Sequence, residues 1–293
     1  MPDSIQHVLP AGKWTSMQEH HRQVLAEILN PYLEKRSRQI KDPVVDFLFE
    51  YYAFRPARLQ RWSPGFGAAL DPAGEPWPEL SELSVSNGFA RLDPTLFPGN
   101  RLSSLRWILK LLKESVSRTP SFGCLGMHEW AMVYRAENVR HDEIPLRLSG
   151  KEIAEFVESR PLLCTHFDAY RFFTSKARPM NRHTLSRENF HQNEQPGCIH
   201  TNMDLYKWAF KMYPWISSEI IREAFLLALE ARYFDMQASP YDLCLHGLRP
   251  IKIETEAGRI EYAKKQKQIF EKSQPLRRRL IESYQQLADH FLA

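Results

Sequence analysis

Ionisable side chains interrupt four otherwise apolar stretches of this sequence, residues 122–135, 164–173, 194–208 and 238–243. Each of the first three combines an acid, an imidazole, aromatic rings and a cation. The side chains of the four stretches that could take part in chemistry are His128, Glu129, Trp130, Tyr134, His166, Asp168, Tyr170, Arg171, His200, Asp204, Tyr206, Lys207, Tyr241 and Asp242. This repeated grouping predicts a site that binds or converts a ligand.

A nucleobase pocket is the first interpretation of this grouping. Aromatic rings stack on a flipped or single-stranded base. Hydrolysis of an N-glycosidic bond needs a carboxylate that activates water and stabilises an oxocarbenium-like transition state, and Glu129, Asp168 or Asp204 could supply it. The alternative for each acid is an ion pair with Arg or His inside a polar network. The residues expected to contact the substrate are His128, Trp130, Tyr134, His166, Tyr170, Arg171, Tyr206, Lys207, Tyr241 and Asp242.

A divalent transition metal is the second interpretation, whereas the first needs no cofactor. His200 and Asp204 are four residues apart and would share one face of a helix that begins before His200, while His166 and Asp168 are two apart and would share one face of a strand. Imidazoles combined with carboxylates suit zinc, manganese or non-haem iron. The sequence contains no HExxH motif. These four residues are therefore alternative metal ligands for an enzyme that acts on a small molecule.

The cysteines and glycines favour neither a nucleophilic thiol nor a nucleotide-dependent enzyme. Cys164 precedes His166 by two residues and Cys198 precedes His200 by two, so either pair could form a thiol–imidazole couple, although buried inert thiols are commoner. Without a CxxC pair, a zinc ribbon is not expected. The glycines match neither GxxxxGK[ST] nor GxGxxG.

Two basic stretches are candidate contacts for nucleic-acid phosphates. Arg55, Arg58 and Arg61 recur every third residue beside several aromatic rings, a mixture that suits a nucleic-acid strand. Residues 264–279 carry seven Lys or Arg and one acid, and such a run is usually the solvated face of a helix. We therefore expect the three arginines to hold phosphate, with DNA as the partner.

Periodicity, capping residues and prolines predict the elements that position these residues. A helix is expected from Ser16, which begins a capping box, with a kink or break at Pro31; a C-terminal helix is expected to break near Pro275. Other helices are predicted at 43–54, 102–117, 149–158, 202–213 and 217–237. Strands are plausible at 130–135, 162–173 and 251–254, and the first two segments could equally be helical.

Composition places the chain among ordinary globular proteins. Of its 293 residues, 43% are hydrophobic and 25% charged, and 39 basic against 35 acidic residues give a net charge of +4. These values exclude disordered, collagen-like, disulfide-scaffold and membrane classes. The N-terminal residues lack the pattern of a signal peptide, so a cytoplasmic location is expected.

The expected fold is mainly α with a minor β component, in a single compact domain. The N-terminal helices occupy residues 1–61, a Pro/Gly-rich surface excursion that includes Gly74 occupies 62–99, and the remainder of the domain occupies 100–293. Proline and glycine interleave so densely in the middle segment that long regular elements are not expected there.

The sequence resembles a family of bacterial proteins that commonly carries the name 3-methyladenine DNA glycosylase. The resemblance runs from about residue 40 to the C-terminus and is carried by FGCLGMHEWAMVYR, CTHFDAYRFF, PGCIHTNMDLYKWAF and DMQASPYDL, together with residues 42–67. It implies excision of alkylated adenine from DNA without a cofactor. The sequence lacks the helix-hairpin-helix segment of the well-understood alkyladenine glycosylases, so no catalytic residue is carried over from them. A non-catalytic protein that binds a nucleotide or nucleic acid is the third interpretation.

Overall fold

The computed structural model describes residues 7–72, 76–137, 139 and 143–293. Residues 1–6, where the predicted N-terminal segment begins, and Gly74 of the predicted excursion lie outside the described residues. The fold is mainly α with a minor β component, as predicted, although the strands lie in other segments than those proposed. No helix in the described part of the chain combines the length and apolarity that crossing a membrane requires.

Eleven α-helices account for most of the described residues. They are α1 Ala11–Ser37, α2 Val45–Glu50, α3 Pro56–Leu59, α4 Leu102–Val116, α5 Met127–Val133, α6 Gly150–Glu158, α7 Phe167–Tyr170, α8 Phe190–Asn193, α9 Ile199–Lys211, α10 Ser218–Gln237 and α11 Glu256–Phe291. The predicted helices 102–117, 149–158, 202–213 and 217–237 are confirmed to within a few residues. The capping box of α6 is also confirmed, because the Ser149 hydroxyl accepts from the Glu152 amide and the Glu152 carboxylate accepts from the Ser149 amide.

Two prolines that were expected to interrupt helices lie inside continuous ones. Pro31 is within α1 and Pro275 is within α11. Buried side chains lie on both sides of each proline, among them Leu29 and Tyr32 in α1. Their burial offsets the roughly 3 kcal/mol by which a proline disfavours a helix interior. The capping box predicted at Ser16 is wrong, because α1 already begins at Ala11.

A four-stranded sheet corrects the prediction that residues 62–99 are only a surface excursion. Its strands are β1 His7–Leu9, β2 Ala68–Leu70, β3 Leu83–Ser86 and β4 Phe89–Leu92, in the order β1-β2-β4-β3. β1 is parallel to β2, and the other pairs are antiparallel. Strands of three or four residues fit between the prolines and glycines, which occupy the turns. One face packs on Trp14 and Trp62.

The segments predicted as plausible strands contain no strand. Residues 130–133 belong to α5, residues 167–170 form α7, and residues 251–254 lead by a turn into α11. Short apolar runs fit a buried helix as well as a buried strand, so length and neighbours decide between them. Ile251 and Ile253 are buried without pairing to a second strand, which explains their apolar character.

The chain divides into two compact units. Unit 1 comprises Met1–Leu109, Leu205–Ala228 and Pro275–Ala293, and it contains the sheet. Unit 2 comprises Lys110–Asp204 and Leu229–Gln274. The predicted segments 1–61, 62–99 and 100–293 stay a prediction. Unit 2 contains most of the ionisable residues singled out from the sequence.

Candidate metal centre

Unit 2 buries a group of nine ionisable side chains, which we call the His/Asp cluster. Its members are His128, Glu129, His166, Asp168, Glu194, His200, Asp204, Arg232 and Asp235. Asp168 is half-buried and the others are buried. Ionisable groups are rarely buried unless they are paired or bind a ligand, so a set of this size is unusual for a hydrophobic core.

The N-terminus of α5 places His128 and Glu129 in the cluster. Gly126 precedes the helix with φ +76°, a left-handed conformation that favours glycine. A Cβ at this position would also lie 3.1 Å from the Tyr262 ring. The Trp130 indole, which donates a 2.9 Å hydrogen bond to the carbonyl of Ala238, fixes the same helix. The two ionisable side chains are thus held by a turn that tolerates little change.

Helix α9 supplies His200 and Asp204, as the four-residue spacing predicts. Its entry is tightly packed, because a Cβ on Gly197 would lie 2.6 Å from the backbone oxygen of Ser121. The Gln266 side chain donates a 2.8 Å hydrogen bond to the carbonyl of Gly197. These contacts fix the direction of α9 and therefore the positions of its two inward-facing side chains.

Two groups of three ligand atoms lie within the His/Asp cluster. In each group, one imidazole nitrogen or carboxylate oxygen from every residue lies within 4.8 Å of the others. The first group is His128, His200 and Asp235, and the second is His166, Asp168 and Asp204. The four residues predicted as metal ligands are therefore divided between the groups, with His200 in the first and the other three in the second.

The first group joins α5, α9 and α10 around the Asp235 carboxylate. His128 Nε2 donates to Asp235 Oδ2 at 3.0 Å, and His200 Nε2 lies 4.0 Å from the same oxygen. Two ligands of one metal at about 2.1 Å are separated by roughly 3–4 Å, according to the angle between them. These spacings are therefore compatible with coordination of one ion by the three side chains.

The second group has a carboxylate on each side of the His166 ring. Nε2 lies 3.9 Å from Asp204 Oδ2, whereas Nδ1 lies 2.8 Å from Glu194 Oε1. The 2.8 Å pair is at ion-pair distance, although its angles fall outside those of a hydrogen bond. Glu194 Oε2 in turn accepts from the Thr201 hydroxyl. A ligand imidazole commonly has a carboxylate at its second nitrogen, and Glu194 fits that role.

The imidazole of His200 connects the two groups. Its ring stacks on that of His166 with 5.1 Å between centroids and 14° between planes. It meets the His128 ring edge-on at 4.4 Å. Three imidazoles in van der Waals contact inside a core cannot all be protonated without strong repulsion.

The carboxylates and the neighbouring imidazoles divide the charge among the three histidines. Burial alone lowers the pKa of His128 and of His166, but Asp235 and Glu194, respectively, outweigh it and raise both. Burial, reinforced by repulsion from His128 and His166, holds the pKa of His200 well below its usual range. The central imidazole is therefore neutral, which is the form that binds a metal.

Acidic groups outnumber permanently basic ones in the His/Asp cluster. It contains five carboxylates, one guanidinium and three imidazoles. Arg232 Nη1 pairs with Glu129 Oε1 at 2.9 Å and lies 3.8 Å from Asp235 Oδ2. At the solvent side, the half-exposed Arg171 guanidinium lies 3.6 Å from Asp168. The remaining negative charge is suited to a divalent cation.

The thiols are arranged differently from the two predicted thiol–imidazole pairs. Cys164 Sγ contacts the backbone oxygen of His166 at 3.5 Å. Burial raises the pKa of Cys198, which suits an inert thiol. Cys124 Sγ instead lies 3.5 Å from His128 Nδ1. Cys124 lies just before α5 and four residues before His128. This spacing could have indicated the pair, but the sequence analysis did not propose it.

Most of the predicted substrate-binding residues lie outside the His/Asp cluster. Trp130 and Tyr241 are buried in unit 2, and Tyr206 is buried in unit 1. Lys207 of unit 1 lies over the Trp208 ring. The others in unit 2 have local contacts: the Tyr134 hydroxyl donates to Glu158, Tyr170 packs on Phe173, and Asp242 accepts from the Cys244 amide.

Of the predicted catalytic acids, Glu129 is paired with Arg232, and Asp168 and Asp204 are potential metal ligands.

The predicted phosphate-binding arginines belong to unit 1 and are exposed. Arg58 lines a pocket of unit 1, and its guanidinium lies 5.2 Å from the Tyr213 ring centroid. The basic stretch 264–279 is not wholly a solvated face, because Arg277 is buried. Lys272 of that stretch pairs with Glu230 across the surface of unit 2 at 2.6 Å.

Three members of the His/Asp cluster were not identified from the sequence. Glu194 lies in one of the four polar stretches but was not singled out. Arg232 and Asp235 lie three residues apart in the otherwise largely apolar α10, and this spacing was the available signal. Their partners are distant in sequence: 107 residues separate His128 from Asp235, so local periodicity could not pair them.

A comparison with protein-family models, with curated proteins and with solved structures finds no match to this chain. The resemblance to the family named 3-methyladenine DNA glycosylase therefore stays an expectation. The function is therefore inferred from the side chains of the His/Asp cluster.

Proposed function

We propose that this protein is a metal-dependent enzyme that acts on a small molecule. The observation that supports the proposal is the pair of three-residue ligand groups inside the His/Asp cluster, joined by the stacked rings of His166 and His200. The acidic excess of the cluster and the neutral state favoured for His200 are the electrostatic conditions that a bound divalent cation requires.

The donor atoms favour a borderline transition metal. One group offers two imidazoles and a carboxylate, and the other offers an imidazole and two carboxylates. Such mixed nitrogen and oxygen sets suit zinc, manganese or iron better than calcium or magnesium, which prefer oxygen alone. Glu194, at the second nitrogen of His166, would fix the orientation of that imidazole and strengthen it as a ligand.

The solvent side of the second group is where a substrate would approach. Asp168 is its half-buried member, and the Arg171 side chain beside it is 46% exposed. A metal here would act as a Lewis acid, polarising a substrate oxygen or lowering the pKa of a bound water. Arg171 would bind an anionic group of the substrate, because guanidinium pairs well with carboxylate or phosphate.

The base-glycosylase hypothesis stays a prediction, and several of the rings assigned to it are occupied by protein contacts. Trp130 and Tyr206 are both 0% exposed, and the Trp130 nitrogen already donates to a backbone carbonyl. A base could stack on them only after the core had opened. Base release from alkylated DNA by the metal-free protein would favour that hypothesis over ours.

Metal content of the purified, untagged protein tests the proposal. We expect inductively coupled plasma mass spectrometry to find about one or two equivalents of a transition metal, the capacity of the two ligand groups. His200→Ala should lose the equivalent bound by the first group, and Asp204→Asn the equivalent bound by the second. His246→Ala is the matched control, because His246 is exposed on a short 3-10 helix outside the cluster.

Circular dichroism of each variant separates loss of a ligand from loss of the fold. Folded variants that retain the full metal content would contradict the proposal, as would a metal-free parent that takes up no zinc, manganese or iron when each is added. If the metal is present, the next step is to test hydrolysis of small phosphate esters, carboxylate esters and amides, with and without a chelator.

A further inference from the structure

Unit 1 has a concave pocket whose polar lining is basic. The cavity measures about 320 Å³ and opens to solvent. Its lining residues are Ala53, Phe54, Arg58, Arg101, Ser104, Phe210, Lys211 and Met212. None of these described lining residues is acidic. The three cations come from separate parts of the chain: Arg58 lies in α3, Arg101 directly before α4 and Lys211 at the end of α9.

The cations of this pocket repel one another. Burial lowers the pKa of Arg101, repulsion from Arg58 adds to that shift, and Glu82 opposes it without reversing it. Partial desolvation also lowers the pKa of Lys211, with further repulsion from Lys207 and Arg101. An anion bound between them would relieve this repulsion and compensate for their desolvation.

Two of the basic groups are held in place by the protein. The Arg101 guanidinium donates a 2.9 Å hydrogen bond to the carbonyl of Tyr213, and Arg58 lies over the ring of the same tyrosine. Phe54 and Phe210, with ring centroids 4.5 Å apart, form an apolar wall beside them. The pocket therefore combines fixed donors with aromatic surface.

We propose that this pocket binds the phosphate group of a nucleotide-sized ligand. Guanidinium groups bind phosphate oxygens with paired N–H donors, and the lysine adds a point charge. Three positive charges match a phosphate dianion better than the single charge of a carboxylate. The Ser104 hydroxyl is a further donor, and the cavity volume lies at the lower end of the range for small-molecule sites. Of the predicted phosphate-binding arginines, only Arg58 belongs to this site.

Calorimetric titration of the full chain tests the proposal with three probes: inorganic phosphate, adenosine 5′-monophosphate and an eight-nucleotide single-stranded DNA. We expect at least one to bind, and Lys211→Gln and Arg101→Gln each to weaken that binding about tenfold or more, as expected when a hydrogen bond to a charged group is lost. Arg22→Gln is the charge-matched control from the exposed face of α1 and should change affinity less than twofold.

The probes distinguish the source of the phosphate. Binding of the mononucleotide with no stronger binding of the oligonucleotide assigns the site to a free nucleotide. Tighter oligonucleotide binding that falls steeply with salt assigns it to a strand. Failure of all three probes to bind the parent overturns the proposal, as does equal affinity in the Lys211, Arg101 and Arg22 variants. Lys211 is exposed, so its substitution is not expected to unfold the protein.

Discussion

Two regions of the molecule bury histidine in opposite ways. In unit 1, His21 of α1 is buried and places Nε2 2.9 Å from the carbonyl of Leu59, to which that nitrogen donates. In unit 2, the buried imidazole of His200 contacts those of His128 and His166, which face carboxylates. A backbone carbonyl accepts the N–H of a neutral ring, whereas carboxylates stabilise a positive charge, either a proton or a metal. Burial alone therefore does not mark a functional histidine; its partners do.

The largest expected effect concerns the charges around the imidazoles of the His/Asp cluster. Arg232→Met leaves the buried Glu129 carboxylate without its 2.9 Å partner. An unpaired buried charge should lower the free energy of unfolding by about 3–5 kcal/mol. Urea denaturation measures this loss.

Lys272→Met is the control for Arg232→Met, because it breaks a 2.6 Å pair with Glu230 in which the side chains are 57% and 48% exposed. That change should cost less than about 1 kcal/mol. Equal losses in the two variants would show that the cluster is not held by its internal charges.

The pH dependence of stability sharpens the contrast for His21. Burial, opposed by the bond to Leu59, lowers its pKa to about 4 from 6.5. Between pH 6.5 and pH 4 the unfolded chain binds a proton at His21 and the folded chain does not. The contribution of the neutral ring to the free energy of unfolding is therefore fully present above pH 6.5 and is lost as the pH falls toward 4. The loss amounts to about 3 kcal/mol at most.

His21→Gln removes the titrating group but keeps a donor for Leu59. Urea denaturation between pH 4 and pH 7 should therefore give a flatter stability profile for His21→Gln than for the parent. Parallel profiles would contradict the assignment of His21 as a buried neutral ring.

Added metal should stabilise the molecule through the His/Asp cluster. Free zinc or manganese at about a hundred times its dissociation constant should raise the free energy of unfolding by about 2.7 kcal/mol. Asp204→Asn removes a carboxylate charge from the second ligand group, so its melting temperature should respond much less to metal. An identical response in parent and variant would locate the metal elsewhere.

The helices show what local sequence can and cannot predict. The Ser149 capping box and the apolar stripe of α4 were predicted because the information lies within one or two turns. The uninterrupted courses of α1 and α11 were not, because burial on both sides of Pro31 and Pro275 comes from distant segments. The sheet was missed because three- and four-residue strands are too short for a periodic signal.

The candidate site was predictable to a similar extent. The spacing of His200 and Asp204 predicted a shared helical face provided that the helix begins before His200, and α9 meets this condition because it begins at Ile199 rather than at the predicted residue 202. Their assignment to different ligand groups was not predictable, since it depends on Asp235 and His166 from distant segments. Glu194 and Arg232 were not predicted for the same reason, because their partners His166 and Glu129 lie in distant segments.

Calorimetric titration of chelator-stripped protein with zinc, for the parent, His200→Gln and His21→Gln, tests the central claim most directly. Both variants replace a buried histidine with the same residue, but only His200 belongs to the His/Asp cluster. We expect one or two zinc equivalents for the parent and for His21→Gln, and at least one fewer, or much weaker binding, for His200→Gln. Unchanged zinc binding by folded His200→Gln, or none by the parent, would contradict the claim.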